Sequence, residues 1–185
     1  MTPNKSAVVV NLFGEPCAGK STVSAMLFSI MKLAGHNVEL VQEYAKDLVY
    51  EQRFSTLLDQ LYMLGKQNHR LHRTVSQVDV VINDSPLVLS SLYSPPNYYK
   101  LFDEFTMEVF NGYNNVNFFM SRPASRPYQP SGRTQTAEQA LEVRDNLIRY
   151  MQQHQIEYTS LNSDKTTADE IYNILCARNI IAQIE

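Results

Sequence analysis

The sequence contains little of what defines several other classes of protein. Its 185 residues include two cysteines, Cys17 and Cys176, so a scaffold held together by disulfides is not expected. No apolar run approaches the ~20 residues of a membrane-spanning helix, so we expect no membrane partner. Residues 1–6 are polar and do not indicate a signal peptide. These absences predict a protein of the cytoplasm.

The chain also has no large excess of charge of one sign. Its net charge is −3 at pH 7, and it has no tail rich in lysine and arginine. Broad, sequence-independent binding of nucleic acid is therefore not favoured. Binding through a local basic groove stays an alternative. Hydrophobic residues make up 44% of the chain, which is typical of a globular protein. At this length we expect a single domain over residues 1–185.

The most informative segment lies between two regular elements. A nearly unbroken apolar run at 7–13 precedes it, and a helical pattern at 22–33 follows it. The apolar run suits a parallel strand that is buried on both faces. The segment itself has the pattern G-x-x-x-x-G-K-S, the P-loop, in the strand–loop–helix context that this pattern requires. Its residues are Gly14, Glu15, Pro16, Cys17, Ala18, Gly19, Lys20 and Ser21.

This pattern has a direct chemical interpretation. Gly14 and Gly19 allow backbone turns at which a Cβ atom would clash. Successive N–H groups then face inward and hold phosphate oxygens above the positive end of the helix dipole. Lys20 is expected to reach the β- and γ-phosphates, and the Ser21 hydroxyl to ligate Mg²⁺. We predict that ATP binds the whole loop and the start of the helix, which are Gly14, Glu15, Pro16, Cys17, Ala18, Gly19, Lys20, Ser21 and Thr22.

Acidic residues follow the next two predicted strands. Residues 37–42 form the second strand, and Glu43 lies at its carboxyl end, where ligands bind in open α/β sheets. Residues 78–83 form the third strand, and Asp84 follows it. An apolar strand that ends at an acidic residue, after a P-loop, predicts a carboxylate near Mg²⁺. The alternatives are a helix N-cap for Asp84 and a solvated carboxylate at a helix start for Glu43.

Residues 48–75 have helical periodicity, and we predict two segments with a break near 54–56. Basic side chains in this stretch form either a solvated face or a wall of the acceptor site that contacts phosphate. They are Arg53, Lys66, His69, Arg70, His72 and Arg73. A set of aromatic residues has two equally supported interpretations, which are stacking on a base and packing in the core or at its rim. They are Tyr44, Tyr62, Tyr98, Tyr99 and Phe102.

The rest of the chain continues the alternation of strands and helices. Strands are predicted at 115–120 and 156–161, and helices at 87–93, 100–110, 136–154 and 168–178. Alternation of this kind predicts an α/β fold. We expect a three-layer sandwich, in which a five-stranded parallel sheet has helices on both faces.

The segment at 121–134, SRPASRPYQPSGRT, is polar and has no apolar period. It is too long for a plain connector. One interpretation is a surface loop whose arginines, Arg122, Arg126 and Arg133, are solvated. We favour a mobile lid that closes over the phosphates, with Arg122 and Arg126 as the catalytic candidates.

The P-loop, the sequence VQEYAKD at 41–47, the sequence NDSP at 83–86 and the arginine-bearing segment together resemble the small P-loop kinases. More narrowly, the chain is similar to the group of the ribosylnicotinamide kinase domain and of many small phage-encoded kinases and ATPases with an AAA-type ATP-binding domain. Some phage members of this group phosphorylate hydroxymethyluracil bases within DNA. The resemblance covers nearly the whole chain, and for a phage-encoded protein it implies the host cytoplasm.

This resemblance implies a nucleotide-kinase-like sheet with the third strand between the first and the second. It implies ATP as the donor, a nucleoside or nucleotide hydroxyl as the acceptor, and DNA as a further possible substrate. Glu43 matches the position of the base in related kinases. Deoxynucleoside kinases carry Glu-Arg-Ser after the third strand, where this chain has Asp84, Ser85 and Pro86. An ordinary deoxynucleoside kinase is therefore not implied.

The sequence thus predicts a phosphotransferase. We expect Glu43 to take the proton of the acceptor hydroxyl and Asp84 to hold Mg²⁺. The reverse assignment, with Asp84 at the acceptor hydroxyl, stays open. Lys20 and the lid arginines neutralise charge on the γ-phosphate. The rival interpretation is an ATPase switch or motor that acts on a macromolecular partner. It is less favoured because the chain shows no helicase-type second domain.

Overall fold

A regular alternation of strands and helices runs through the computed structural model, which describes residues 7–123, 125, 127–129 and 136–182. The elements are β1 (Val8–Phe13), α1 (Lys20–Leu33), β2 (Val38–Val41), α2 (Tyr44–Tyr50), α3 (Phe54–Leu57), α4 (Gln60–Val75), β3 (Val80–Asn83), α5 (Leu89–Leu92), α6 (Phe102–Asn111), β4 (Asn114–Ser121), α7 (Ala137–Gln153), β5 (Thr159–Asn162) and α8 (Thr167–Ala177). Apart from residues 44–75, the predicted elements differ from these by up to three residues at their ends.

Five strands of the described chain form one parallel sheet in the order β2-β3-β1-β4-β5. The predicted α/β fold with a parallel sheet is confirmed, and so is the position of the third strand between the first and the second. Because the strands are parallel, their carboxyl ends meet at one edge of the sheet. The residues that follow β1, β2 and β3 therefore come together at that edge.

Side chains of β1 alternate between two core layers, one on each face of the sheet. Val9 and Phe13 pack on the face covered by α4, α6 and α7, whereas Val10 and Leu12 pack on the face covered by α1 and α8. All four side chains are fully buried. The apolar run was predicted to be buried on both faces, and the structure confirms this. The exception within the run is Asn11, a buried polar residue.

Helix α2 begins earlier than predicted. Its first residue is Tyr44 rather than residue 48, and Glu43 is its N-cap. The backbone at Gln52 adopts φ of +56°, a left-handed conformation that a helix cannot continue through. The early start matters for function because it places Glu43 at the junction of β2 and α2.

The predicted break at 54–56 is wrong, because these residues lie in the short helix α3. The chain leaves helical geometry on either side of α3 instead. Asp59 then starts α4, since its side chain accepts a hydrogen bond from the backbone N–H of Tyr62 at 3.1 Å. This side-chain cap satisfies a helix N–H that has no partner within the helix.

Among the described residues, no helix has both the length and the apolar character that crossing a bilayer requires.

Candidate active site

The loop between β1 and α1 is shaped by two glycines. Gly14 has φ of +146°, and a Cβ atom there would lie 2.4 Å from the carbonyl oxygen of Met120 in β4. Gly19 has φ of +92° and is the N-cap of α1. Both positions therefore require glycine, one because of a close backbone approach and the other because of left-handed backbone geometry. The loop ends where α1 begins, so the unpaired N–H groups of the first helical turn face the loop.

Lys20 lies across the loop that precedes it. Its Nζ atom donates hydrogen bonds to the carbonyl oxygens of Gly14 at 3.0 Å and Glu15 at 3.3 Å. The ammonium group is thus held on the loop, close to the start of α1, by two backbone oxygens. A phosphate bound at this helix start would meet a positive charge that is already positioned.

Asp84 follows β3 and is 96% buried, since its relative exposure is 4%. Burial raises the pKa of its carboxyl from 3.8 to about 6, and the charge of Glu43 acts in the same direction. A hydrogen bond with Ser21 and the charge of Lys20 lower the same pKa. Asp84 therefore lies beside Ser21 and Lys20. It is not a helix cap, because the N-cap of α5 is Val88.

The residues around Asp84 fit a magnesium ion. The Oδ1 atom of Asp84 is buried and has no hydrogen-bond partner within the described part of the chain. A carboxylate oxygen and the neighbouring Ser21 hydroxyl are the hard oxygen donors that Mg²⁺ prefers. No group of three or more acidic, histidine or cysteine residues that could hold a metal occurs among the described residues. The two side chains would thus leave most of the coordination sphere to water and phosphate oxygens, as is usual for Mg²⁺.

Glu43 lines the cavity beside the loop, whereas Asp84 is not among the described residues that line it. It is half-buried at the end of β2, and its side chain makes no cap hydrogen bond to α2. Its charge raises the pKa values of both Asp84 and Tyr93, so it lies within electrostatic reach of each. The carboxylate is therefore available to act as a base, and it shares one site with Asp84.

A cavity of about 430 Å³ connects the loop to helices α2, α3, α4 and α5. At one end it is lined by Gly14, Pro16, Cys17, Gly19, Lys20, Ser21 and Thr22. At the other end it is lined mainly by apolar and aromatic side chains, including Val49, Tyr50, Leu57, Leu58, Met63, Leu89 and Tyr93. Glu43, Lys46 and Ser85 also line it. The cavity is thus polar at the loop and largely apolar beyond it.

The aromatic residues of the cavity differ from those singled out in the sequence. None of Tyr44, Tyr62, Tyr98, Tyr99 and Phe102 is among the described residues that line it, and Tyr50 and Tyr93 line it instead. Tyr98 packs edge-on against Tyr99 and Phe102, which favours the packing alternative for that group. The sequence signal that could have identified Tyr50 is helical spacing, since this residue lies two turns of α2 beyond Glu43.

Protein atoms surround the Tyr93 hydroxyl. About 41% of the residue is exposed, and it lines the cavity. Burial raises the pKa of Tyr93 most, and the charge of Glu43 raises it further. The phenol therefore stays protonated, so it can donate a hydrogen bond into the cavity.

The five basic side chains of α4 lie on the surface, and so does Arg53 before it. None of the six appears among the described residues that line the cavity. Arg70 forms an ion pair with Asp47 and stacks on Tyr44, and Lys66 lies over Tyr62. This favours the solvated face over the wall of an acceptor site.

The described residues of the segment at 121–134 approach the loop at two points. The Oε1 atom of Glu15 accepts a hydrogen bond from the N–H of Arg122 at 3.1 Å. The Sγ atom of Cys17 accepts one from the N–H of Gln129 at 3.3 Å. The Arg122 guanidinium lies 5.9 Å from the ring centre of Tyr128. Arg126 and Arg133, which were also predicted here, lie outside the described residues.

This fold and site together define a class, the P-loop proteins of the kinase-like α/β type. A family model described as an AAA domain matches residues 9–169, and the chain belongs to that family. A comparison with curated proteins gives no match.

Several solved structures share the fold. A deoxyadenosine kinase from M. mycoides with dCMP and dCDP bound is 19% identical with a TM-score of 0.59, and the match covers 91% of this chain and 99% of that one. A thymidylate kinase from Ehrlichia chaffeensis is 16% identical with a TM-score of 0.63, and the match covers 92% and 99%. NadR in complex with NAD and AMP-PNP is 16% identical with a TM-score of 0.67. Here the match covers 91% of this chain but only 49% of NadR.

Proposed function

We propose that the protein is a single-domain, ATP-dependent kinase that transfers the γ-phosphate to a hydroxyl group of a nucleoside- or nucleotide-type acceptor. The observation that carries this proposal is a cavity that has the P-loop at one end, an apolar and aromatic compartment at the other, and Glu43 on its wall. Similar folds that are named as nucleoside or nucleotide kinases support the acceptor class.

ATP would bind along residues 14–22, with its phosphates against the N–H groups at the start of α1. Lys20 would neutralise charge that develops on the γ-phosphate, and Arg122 and Arg126 would approach from the lid. Glu43 would accept the proton of the acceptor hydroxyl as its oxygen bonds to the γ-phosphorus. The bond from that phosphorus to the β,γ-bridging oxygen breaks, and ADP leaves.

Ser21 and Asp84 would hold Mg²⁺, for which their oxygen donors are suited. The ion supplies positive charge to the phosphates when it is bound. Asp84 must be ionised for this role. Because burial raises its pKa to about 6, the carboxylate dominates at neutral pH.

The apolar compartment would hold the acceptor. Tyr50 and Tyr93 present aromatic faces and Gln60 an amide, which together suit a flat, hydrogen-bonding base. A hydroxymethylated base within DNA is a narrower candidate.

The rival function, an ATPase switch or motor, does not need a second compartment beside the P-loop. The test is a screen with ATP labelled at the γ-phosphate, offered to nucleosides, mononucleotides, plain DNA and DNA with hydroxymethylated bases. A kinase transfers label to one class and hydrolyses ATP slowly without it. Faster hydrolysis with a macromolecule, and no labelled acceptor, would favour the rival.

Two substitutions make the screen specific. Glu43→Gln keeps the shape of the side chain but cannot accept the proton, so transfer should fall by about a hundredfold or more, with ATP affinity nearly unchanged. Glu51→Gln, an exposed position just after α2, is the matched control. If Glu43→Gln abolishes ATP binding, whereas Asp84→Asn keeps its Mg²⁺ dependence and cannot transfer, the two roles are exchanged.

A further inference from the structure

A row of amide side chains, two of them buried and two half-buried, crosses the sheet beneath the site. The Nδ2 atom of Asn83 in β3 donates to Oδ1 of Asn11 in β1 at 2.9 Å. Nδ2 of Asn11 in turn donates to Oδ1 of Asn115 at 2.8 Å and of Asn117 at 3.0 Å, both in β4. Asn11 and Asn83 are buried, and they occupy the strand face that packs against α4. The row is therefore a fixed polar element within an apolar layer.

Gln67 of α4 joins this row to the backbone around Glu43. Its Oε1 atom accepts a hydrogen bond from the N–H of Tyr44 at 3.0 Å. Its Nε2 atom donates to the carbonyl oxygen of Gln42 at 3.3 Å and to Oδ1 of Asn83 at 3.2 Å. The amide thus binds the residues on both sides of Glu43, and also the residue that precedes Asp84.

These contacts require a glutamine in one orientation. A backbone N–H faces its oxygen, and a backbone carbonyl faces its nitrogen, so turning the amide over would oppose like groups. Gln67 is 5% exposed and lines the cavity, so the contacts are largely shielded from water. Arg70 also donates to the Gln42 carbonyl, at 3.2 Å, and its guanidinium stacks on the Tyr44 ring, but in the described structure its contacts do not include a hydrogen bond to the Tyr44 N–H.

We propose that Gln67 is a positioning residue that fixes Glu43 relative to Asp84 by clamping the two peptide groups that flank Glu43 and tying them to Asn83. This rests on the proposed function insofar as Glu43 is the base. A base must stay within hydrogen-bond reach of the proton it takes, and small displacements cost rate. Gln67 itself touches no reacting atom and acts through Glu43.

The test uses Gln67→Met, which is similar in size but lacks both the donors and the acceptor. Tyr113→Phe is the matched control, because it removes the hydrogen bond from the Tyr113 hydroxyl to Asn68, the next residue on α4. The first measurement is amide hydrogen exchange at Tyr44. We expect exchange there to be at least about tenfold faster in Gln67→Met than in the control, because only Gln67→Met frees that N–H. Equal exchange contradicts the clamp, and this measurement needs no acceptor.

The second measurement is a double-mutant cycle on the rate of label transfer. Gln67→Met should lower kcat by about tenfold or more, with ATP affinity within about twofold of the wild type. In the Glu43→Gln background it should add less than about a twofold further loss, because the base is already absent. Independent, multiplicative losses would show a merely structural role and overturn the proposal.

If Gln67→Met does not fold, Gln67→Glu at pH 8 takes its place in both measurements. When ionised, this side chain keeps an acceptor for the Tyr44 N–H but loses both donors, so a loss of kcat without faster exchange at Tyr44 is expected. Wild-type kcat in this variant contradicts the proposal. Absence of any transfer by the wild type would count against the proposed kinase, whereas unchanged Tyr44 exchange in Gln67→Met would count against the clamp alone.

Discussion

Lys20 is expected to matter for phosphate transfer and not for the stability of the fold. Its ammonium group contacts two carbonyl oxygens of its own loop, and its position at the start of α1 is fixed by the backbone. Lys20→Ala should therefore leave the thermal unfolding curve nearly unchanged. Transfer should fall by about a hundredfold or more, since each ~1.4 kcal/mol of lost transition-state stabilisation is about tenfold in rate.

The control for this variant is Lys32→Ala in the last turn of the same helix, where the ammonium lies over the Phe28 ring. It should keep wild-type transfer. Near-normal turnover in a folded Lys20→Ala protein would contradict the role that we assign to the loop.

Asp84 makes stability depend on pH in the nucleotide-free protein with chelator present. Its pKa is about 6 when folded and 3.8 ordinarily, so between these values the folded state binds more protons than the unfolded state. The free energy of unfolding should thus fall as pH rises from about 4 to 6, by up to about 3 kcal/mol. Asp84→Asn, which stays neutral, should remove this fall and be the more stable protein at pH 7.

Denaturant unfolding at pH 4, 5, 6 and 7 measures this difference. The exposed Asp79→Asn, just before the same strand, is the control and should keep the wild-type pH dependence. If the free energy of unfolding of Asp84→Asn depends on pH as it does in the wild type, other groups produce that dependence.

The sequence was sufficient to predict candidate site residues at strand ends but not those on helices. Glu43 and Asp84 could be placed because parallel strands end at a common edge. Gln67 could not, since its partners, the backbone of Gln42 and Tyr44 and the amide of Asn83, are determined by how α4 packs on the sheet. A buried glutamine on a helix has no local signature in the sequence.

Among the elements, the P-loop contacts described residues of the segment that follows β4. Cys17 has φ of +71°, is 8% exposed, and accepts a hydrogen bond from Gln129. Cys17 also lines the cavity, so we expect an alkylating reagent to reach its thiol from the nucleotide site. Bound Mg·ATP should slow that alkylation severalfold or more, because the nucleotide covers the loop.

Cys176 in α8 provides an internal control, because it is a second free thiol outside the cavity. Mass spectrometry of the alkylated protein can follow both thiols in one sample, and the rate at Cys176 should not depend on ATP. Equal rates at Cys17 with and without ATP would contradict its place in the nucleotide site.

Element boundaries between α2 and α4 were the least predictable part of the fold. The break depends on a left-handed backbone at Gln52 and on the side-chain cap at Asp59. Glutamine is not a residue that favours the left-handed region, so its conformation there is set by the packing around it rather than by local preference. Of the leucines whose helical spacing indicates this stretch, Leu64 and Leu71 are buried, whereas Leu58 and Leu61 are exposed.

For the whole molecule, the alternation of strands and helices was sufficient to predict the parallel sheet and its layers, because few topologies satisfy short, right-handed connections. The amide row is a different kind of feature. It joins Asn11, Asn83 and Asn117, which are far apart in the sequence and meet only through strand register. A single polar residue in an apolar strand gave no indication of its partners.

The row should be a cooperative source of stability, and Asn11 is its centre. Asn11→Leu is similar in size but leaves the Asn83 donor and the Asn115 and Asn117 acceptors without the partner they share. Of these partners only Asn83 is fully buried, and a buried polar group left unpaired costs about 1–3 kcal/mol, so the free energy of unfolding should fall by about 1–3 kcal/mol. Denaturant unfolding measures this, with the exposed Asn111→Leu as a control expected within about 0.5 kcal/mol of the wild type. A loss below about 1 kcal/mol in Asn11→Leu would mean that the remaining amides re-pair or reach water, and that the row is not a cooperative unit.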